Sequence, residues 1–258
     1  MLKHTKKEYQ KICELYQKGY SCTAIAKKYN SYNTSIRRVL IKNGIEIRPH
    51  KSYIKRYVNE SLFSTLPLSQ EEEYFLGLII TDGCISNNAL SLSLKYEDLH
   101  MLKSFAKFLG KDVKVNNYFH KKHNKKQYYV KVRSKLLCNN LKKLAVFNNK
   151  SFELKLKIPL TFNILRGIID GDGHINTKTL SGRISVFGNS LEFLKQIQKF
   201  YLTHNIKSKI NKSRDLYSLD LYKQKDILFL YEKMYCQVDL FLIRKKNNYG
   251  PLLKKFNR

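Results

Sequence analysis

Asp82 and Asp172 each close a short run of apolar residues and glycine, GLIITDG at 77–83 and GIIDGDG at 167–173. The two aspartates stand 172 − 82 = 90 residues apart. A carboxylate at a helix C-terminus faces the negative end of the helix dipole, at a cost of about 0.3–1 kcal/mol. Two such carboxylates side by side also repel, which raises a pKa. A position this poor calls for a compensating cation. A hard divalent ion held by oxygen suits it, Mg²⁺ above all, with water and substrate phosphates filling the remaining positions. A pair of carboxylates on a symmetry axis could serve two phosphodiesters, one on each DNA strand. Metal-activated water would attack in line.

The elements that must position these residues are two helices. In EEYFLGLIITDG, Gly77 and Thr81 stand at i, i+4 and share a face. Gly167 and Gly171 repeat that spacing in ILRGIIDGDG. Small residues so spaced let two helix backbones approach closely. Packed by these faces, the helices bring Asp82 and Asp172 together. The flanking sequence repeats as well: EDLHMLKSFAKFLG (97–110) is echoed by NSLEFLKQIQKFYL (189–202). Each half reads as an apolar helix, two alternating stretches, an amphipathic helix, two more strands and a last helix. The order is αββαββα, twice. The late strands fall at about 112–119 and 127–134, then at about 207–213 and 216–222, followed by KLLCNNLKKLA and KDILFLYEKMY. Such a duplication builds a pseudo-two-fold pair within one chain.

The 258 residues carry 49 Lys+Arg against 20 Asp+Glu, a formal net charge of +29. Self-repulsion of that size points to a polyanionic partner, nucleic acid first. An anionic membrane surface ranks second, because the charge runs along the whole chain and not along one amphipathic helix. The five cysteines are scattered and form no C-x-x-C pair. That argues for a reducing compartment and against structural zinc. The N-terminus MLKHTKKEYQ has no apolar signal core, and no apolar run is long enough to span a bilayer. The expectation is a soluble intracellular protein with no membrane partner.

Residues 1–48 read as three short helices, with Ser21 a candidate N-cap and Gly19 and Gly44 as stops. The third, TSIRRVLIKNG, buries Ile36 and Leu40. The last two resemble a helix-turn-helix of the resolvase and transposase type. Thr34, Ser35, Arg37, Arg38 and Lys42 are then the candidate groove contacts. A basic three-helix bundle without groove contacts is the plainer alternative. Residues 49–70 lose the helical period, hold Pro49 and Pro67, and read as a linker. The repeats occupy 71–150 and 151–258, the second with a basic tail.

LRGIIDGDG at 165–173 closely matches the signature of the LAGLIDADG homing endonucleases, and FLGLIITDG at 75–83 is a looser copy. The resemblance covers about residues 71 to 245 and is to the single-chain, two-repeat members. It implies an α+β monomer whose saddle-shaped antiparallel sheets lie along the DNA major groove. It also implies that the last acidic residue of each motif, Asp82 and Asp172, binds catalytic metal. Gly83 and Gly173, which follow them, are assigned to the same metal site. In VKVRS, inward Val130 and Val132 would turn Lys131 and Arg133 toward DNA. Members of the family also tend to place a basic residue near the end of each repeat's last strand, where it helps activate water. Lys223 fits in the second half, with Arg133 its partner at an offset of 90. Lys223 shares a strand face with Leu219 and Leu221, so it reaches DNA only if the strand ends or bulges at Tyr222. Lys135 and Lys225 remain alternatives. Where the second motif has Asp170, the first has Ile80, so Asp170 reads as structural.

Other readings of the same residues are weaker. Asp-Gly is a common turn dipeptide, but its doubled context sets this pair apart. An EF-hand fails on Ile175 and Ser181, which stand where glycine and glutamate are needed. His174 reads as a surface polar residue at a strand start, and HKKHNKK at 120–126 as a solvated hairpin tip. The tail IRKKNNYGPLLKKFNR reads as a partly ordered, phosphate-contacting end. The expected function is a site-specific double-strand DNA endonuclease using Mg²⁺. The alternatives on the same scaffold are a DNA-binding transcription regulator without cleavage and a maturase acting on structured RNA.

Overall fold

The structure, a computed structural model, describes residues 6–18, 20–47, 58–120, 125–147, 150–177, 182–214 and 216–256. The chain divides into two compact units, residues 1–55 and 56–258. Gly19, Pro49 and most of the HKKHNKK tip lie outside the described residues.

The first unit holds α1 (Lys6–Gln17), α2 (Cys22–Lys28) and α3 (Asn33–Lys42). Ile12, Tyr16, Ile25, Ala26, Ile36 and Leu40 meet in its core, with Ile12 and Tyr16, and Ile36 and Leu40, one helical turn apart. Ser21 starts α2, its Oγ accepting from the Ala24 N–H at 3.1 Å. Gly44 (φ +71°) lies just past the end of α3 and takes the left-handed conformation that glycine adopts most readily.

The second unit opens with residues 58–69, which run along its surface and bury Phe63 and Leu68. The Ser134 hydroxyl donates to the Glu60 carboxylate at 2.6 Å, and the Asn140 amide to the Glu60 and Leu62 carbonyls at 3.2 and 3.1 Å. Residues 58–69 of the expected linker are therefore bonded into this unit. Ser69 and Glu72 form a capping box that starts α4 (Gln70–Asp82). There follow β1 (Gly83–Ser86), β2 (Ala89–Leu94), α5 (Leu99–Leu109), β3 (Asn116–His120), β4 (Lys125–Arg133), α6 (Lys135–Leu144) and the short α7 (Lys150–Glu153). The second half repeats the order with α8 (Phe162–Asp172), β5 (Gly173–Asn176), β6 (Arg183–Gly188), α9 (Leu191–Thr203), β7 (Lys209–Ser213), β8 (Leu216–Leu221) and α10 (Gln224–Tyr235). Each half folds its strands into one antiparallel sheet, ordered β1-β2-β4-β3 and β5-β6-β8-β7.

Two local differences from the sequence reading have clear causes. β3 begins at Asn116 and not near 112, because Gly110 ends α5 and a turn closes from the Val113 N–H to the Gly110 carbonyl. The tail is not a loose basic end. It forms α11 (Ile243–Asn247) and α12 (Gly250–Phe256), and it fully buries Leu242, Tyr249 and Leu252. Those apolar residues dock the tail on the core and carry Lys245, 6% exposed, in with them.

Candidate functional site

The two halves meet along α4 and α8. Residues 74–80 and 164–170 are buried throughout, since each helix has its own sheet on one side and its twin on the other. A Cβ on Gly77 would strike the Ile164 carbonyl and stand 3.0 Å from Gly167 Cα. A Cβ on Gly167 would strike the Tyr74 carbonyl and stand 2.8 Å from Leu78 N. A Cβ on Gly171 would run into the Thr81 side chain and stand 2.9 Å from Asp82 Oδ2. Gly77, Thr81, Gly167 and Gly171 thus form one backbone-to-backbone seam, and Asp82 and Asp172 lie at its end.

The chain turns from helix to strand within one residue at each end of the seam. A Cβ on Gly83 would stand 2.8 Å from Ile79 Cα, and one on Gly173 2.7 Å from Ile169 Cα. Only glycine passes this close to the preceding turn. The Gly83 and Gly173 carbonyls, which the sequence reading assigns to metal, accept hydrogen bonds from two lysines. Lys150 Nζ donates to the Thr81 carbonyl at 2.5 Å and the Gly83 carbonyl at 2.7 Å. Lys245 Nζ donates to the Gly171 carbonyl at 3.4 Å and to the Gly173 carbonyl. Each lysine thereby caps the negative end of one seam helix beside its aspartate.

The charges explain the arrangement. Burial, and then the charge of Asp172, push the Asp82 carboxyl up to about 6, while Lys150, Lys245 and Arg244 pull it back. Burial raises Asp172 too, opposed by Lys150 and Lys245. Burial lowers both lysines, Lys245 to about 8. The centre is a compact quadrupole of two reluctant anions and two reluctant cations.

Asp170 lies outside it, fully buried. It accepts from the Tyr74 hydroxyl at 2.8 Å, the Tyr235 hydroxyl at 2.7 Å and the Leu242 N–H at 2.7 Å. Leu242 is the N-cap residue of α11, which carries Lys245. Arg244 Nε, next to it, donates to Asp98 of the first half at 2.9 Å.

Residues 160–235 match the family model of a LAGLIDADG-like domain. This part of the chain is similar to LAGLIDADG domains. No curated protein matches the chain. Among solved structures, the LAGLIDADG meganuclease I-AabMI bound to uncleaved DNA is similar at 13% identity, over 71% of this chain and 90% of that one, with a TM-score of 0.51. Variants of the homing endonuclease I-DmoI are similar at 16% identity, over 74% of this chain and 99% of that one, with a TM-score of 0.50. The N-terminal LAGLIDADG domain of DUF199/WhiA is similar at 20% identity, over 71% of this chain and 93% of that one, with a TM-score of 0.47. The two-repeat LAGLIDADG fold is shared with the two nucleases.

The register of the LAGLIDADG sheets locates the remaining residues. Lys131 and Arg133 are exposed, with Val130 and Val132 buried between them. Cys84 pairs with Ser91 and Ser91 with Lys131; in the other sheet His174 pairs with Ser185 and Ser185 with Asp220. Lys131 therefore corresponds to Asp220, Arg133 to Tyr222, and Ser134 to Lys223. Ser134 and Lys223 are indeed the N-cap residues of α6 and α10. Arg133 and Lys223 are not partners, because the offset here is 89 and not 90. The cations that act on the two aspartates come from the segments after each half's last long helix. Nothing in the sequence marks them, since Lys150 and Lys245 stand 245 − 150 = 95 apart among 49 basic residues.

In the first unit, Thr34, Arg37, Arg38 and Lys42 are exposed on α3 and Ser35 is half-buried. Among the described residues, no helix is long and apolar enough to cross a membrane.

Proposed function

We propose that this protein is a site-specific, divalent-metal-dependent DNA endonuclease that cuts both strands as a monomer. The observation that carries the reading is the pair Asp82 and Asp172 at the end of the glycine seam, with half-buried Lys150 and buried Lys245 beside them. A pure binding protein has no need of two carboxylates raised by burial, one of them also by the charge of the other. Among the described residues no group of three or more His, Cys, Asp or Glu is placed to hold a metal ion. Two carboxylates alone fit a hard ion such as Mg²⁺, which binds through one or two carboxylates and takes its other oxygens from water and phosphate. Asp82 and Asp172 would hold it. Bound there, it would supply Lewis acidity and a lowered water pKa.

The chain's own part is to place charge and protons. Lys150 and Lys245, fixed on main-chain carbonyls, present ammonium groups whose protons are loosened by burial. Each can hand a proton to a leaving oxygen or, once neutral, take one from water. Lys131 and Arg133 would hold the phosphates or bases along one half-site. Thr34, Ser35, Arg37, Arg38 and Lys42 would lengthen the footprint through a major-groove helix.

The test is cleavage of a randomised duplex library with Mg²⁺, and separately Ca²⁺, followed by sequencing of the ends. Discrete Mg²⁺-dependent ends that vanish in Asp82→Asn and Asp172→Asn establish the reading. The second reading is a DNA-binding regulator, favoured by the separate three-helix unit with its exposed basic face. Specific binding with no ends under any divalent ion would establish that instead. Binding that is non-specific on duplex DNA and tight on structured RNA would establish the maturase.

A further inference from the structure

The groove-facing side of the second sheet holds a carboxylate that the centre does not use. Asp220 is 3% exposed and lies at the middle of the β5-β6-β8-β7 sheet, on the same side as His174. Both its oxygens are engaged. Oδ1 accepts from the Ser185 hydroxyl at 2.5 Å. Oδ2 accepts from the Asn211 amide nitrogen at 2.7 Å and the Ser218 hydroxyl at 2.9 Å. Burial alone would raise the Asp220 pKa, but these three hydrogen bonds and the Arg183 charge outweigh it and hold the group below its ordinary value. Asp220 is thus ionised at neutral pH.

An ionised carboxylate only accepts. It therefore dictates which end of Asn211 turns toward it and consumes the Ser218 hydroxyl proton. Asn211 and Ser218 are half-buried, on the outer side of the cluster. Ser218 has only its lone pairs left to offer outward, and Asn211 its carbonyl oxygen beside one remaining N–H. In the major groove, amino donors belong to adenine N6 and cytosine N4, whereas guanine offers N7 and O6 acceptors, and thymine an O4 acceptor and a methyl.

We infer that Asp220 is a specificity-positioning residue: it fixes Ser218 as an acceptor and turns the Asn211 carbonyl oxygen outward, so that the second half-site selects adenine or cytosine over guanine or thymine where they face it. The inference rests on the proposed reading of DNA by the sheets. Among its described residues the first sheet has no such device. Lys131 stands in the place of Asp220, and the Asn116 amide nitrogen, on the neighbouring strand, donates to the Lys114 carbonyl at 3.1 Å.

The test is selection of binding sites from randomised duplexes by the full chain in Ca²⁺, for wild type, Asp220→Asn and Asn211→Ala. Asp220→Asn gives Asn211 and Ser218 a neighbour that also donates, so they are free to reverse. The adenine-or-cytosine preference at one position, or two adjacent ones, of a single half-site should fall about tenfold, with the other half-site unchanged. Asn211→Ala should lose the same position while leaving the carboxylate and its hydroxyl partners in place, so it decides the matter if Asp220→Asn unfolds. Unchanged preferences in both variants, or losses spread over both half-sites, would overturn the inference. If wild type itself selects no sequence, the DNA reading falls, and this inference with it.

Discussion

At the point of the first sheet where β4 exposes Lys131, the second sheet buries Asp220. The same register, strand order and helix pair thus carry opposite charges at this one matching position. The centre between them behaves differently. There each half supplies one aspartate, one glycine turn and one lysine, and the copies agree down to the carbonyls the lysines hold. Duplicated halves share one packing constraint at the seam, where a single methyl group clashes. No such constraint couples the two sheet faces, which are free to diverge toward different half-sites. The scaffolding behind the lysines diverges too. Asp170 ties α11 to Tyr74 and Tyr235, whereas Ile80 in the first half ties nothing.

The sharpest way to break the comparison is at the centre. Asp82→Asn and Asp172→Asn should each abolish double-strand cleavage while Ca²⁺-supported DNA binding survives. A variant that keeps cutting both strands would end the two-aspartate scheme. Lys150→Met and Lys245→Met should next slow cleavage by about 10²–10⁴, read as single-turnover rates on each strand. Equal losses would confirm that the two lysines are equivalent despite their different supports.

Stability separates the halves. Asp170→Ala strands two tyrosine hydroxyls and the Leu242 N–H inside the protein, which should cost roughly 3–5 kcal/mol in urea unfolding. Ile80→Val, at the matching position, should cost only about 0.5–1.5 kcal/mol. Asp82 predicts the opposite sign. Its folded pKa lies above the unfolded one, so its charge costs stability once the pH exceeds the ordinary carboxylate value. In metal-free buffer Asp82→Asn should therefore stabilise the fold by about 1–2 kcal/mol at pH 7, solvent screening the rest. The gain should grow between about pH 4 and 6, be absent below that window, and shrink when divalent ion is added. Least of all, Lys131→Ala should lower the salt slope of DNA binding by about one unit, and Asp220→Ala should not.

The helix seam was legible in the sequence because its requirement is local and steric. Glycine or threonine four residues apart, just before Asp-Gly, is written in one turn of chain, and it occurs twice. The repeat order was legible for a similar reason, since helix and strand periods differ. The tail reads as only partly ordered because its lysines dominate the composition, while Tyr249 and Leu252 find a core only once the fold has made one. The pairing of Arg133 with Lys223 failed because a fixed offset ignores the residue lost between the repeats, and one residue reverses the face of a strand.

By itself, the sequence determined that two equivalent helices end in aspartate, that strands follow each, and that the chain carries a net charge of +29 suited to a polyanion. Spacing, glycine sterics and net charge are properties of the chain read in order. The tertiary structure alone decided that Lys150 and Lys245 guard those aspartates, that Asp170 holds the second of these lysines through Leu242, and that Asp220 orients Asn211. These partners lie tens of residues apart or on neighbouring strands. Their contacts exist only where packing excludes water, and there one hydrogen bond or one charge is worth enough to choose its neighbour.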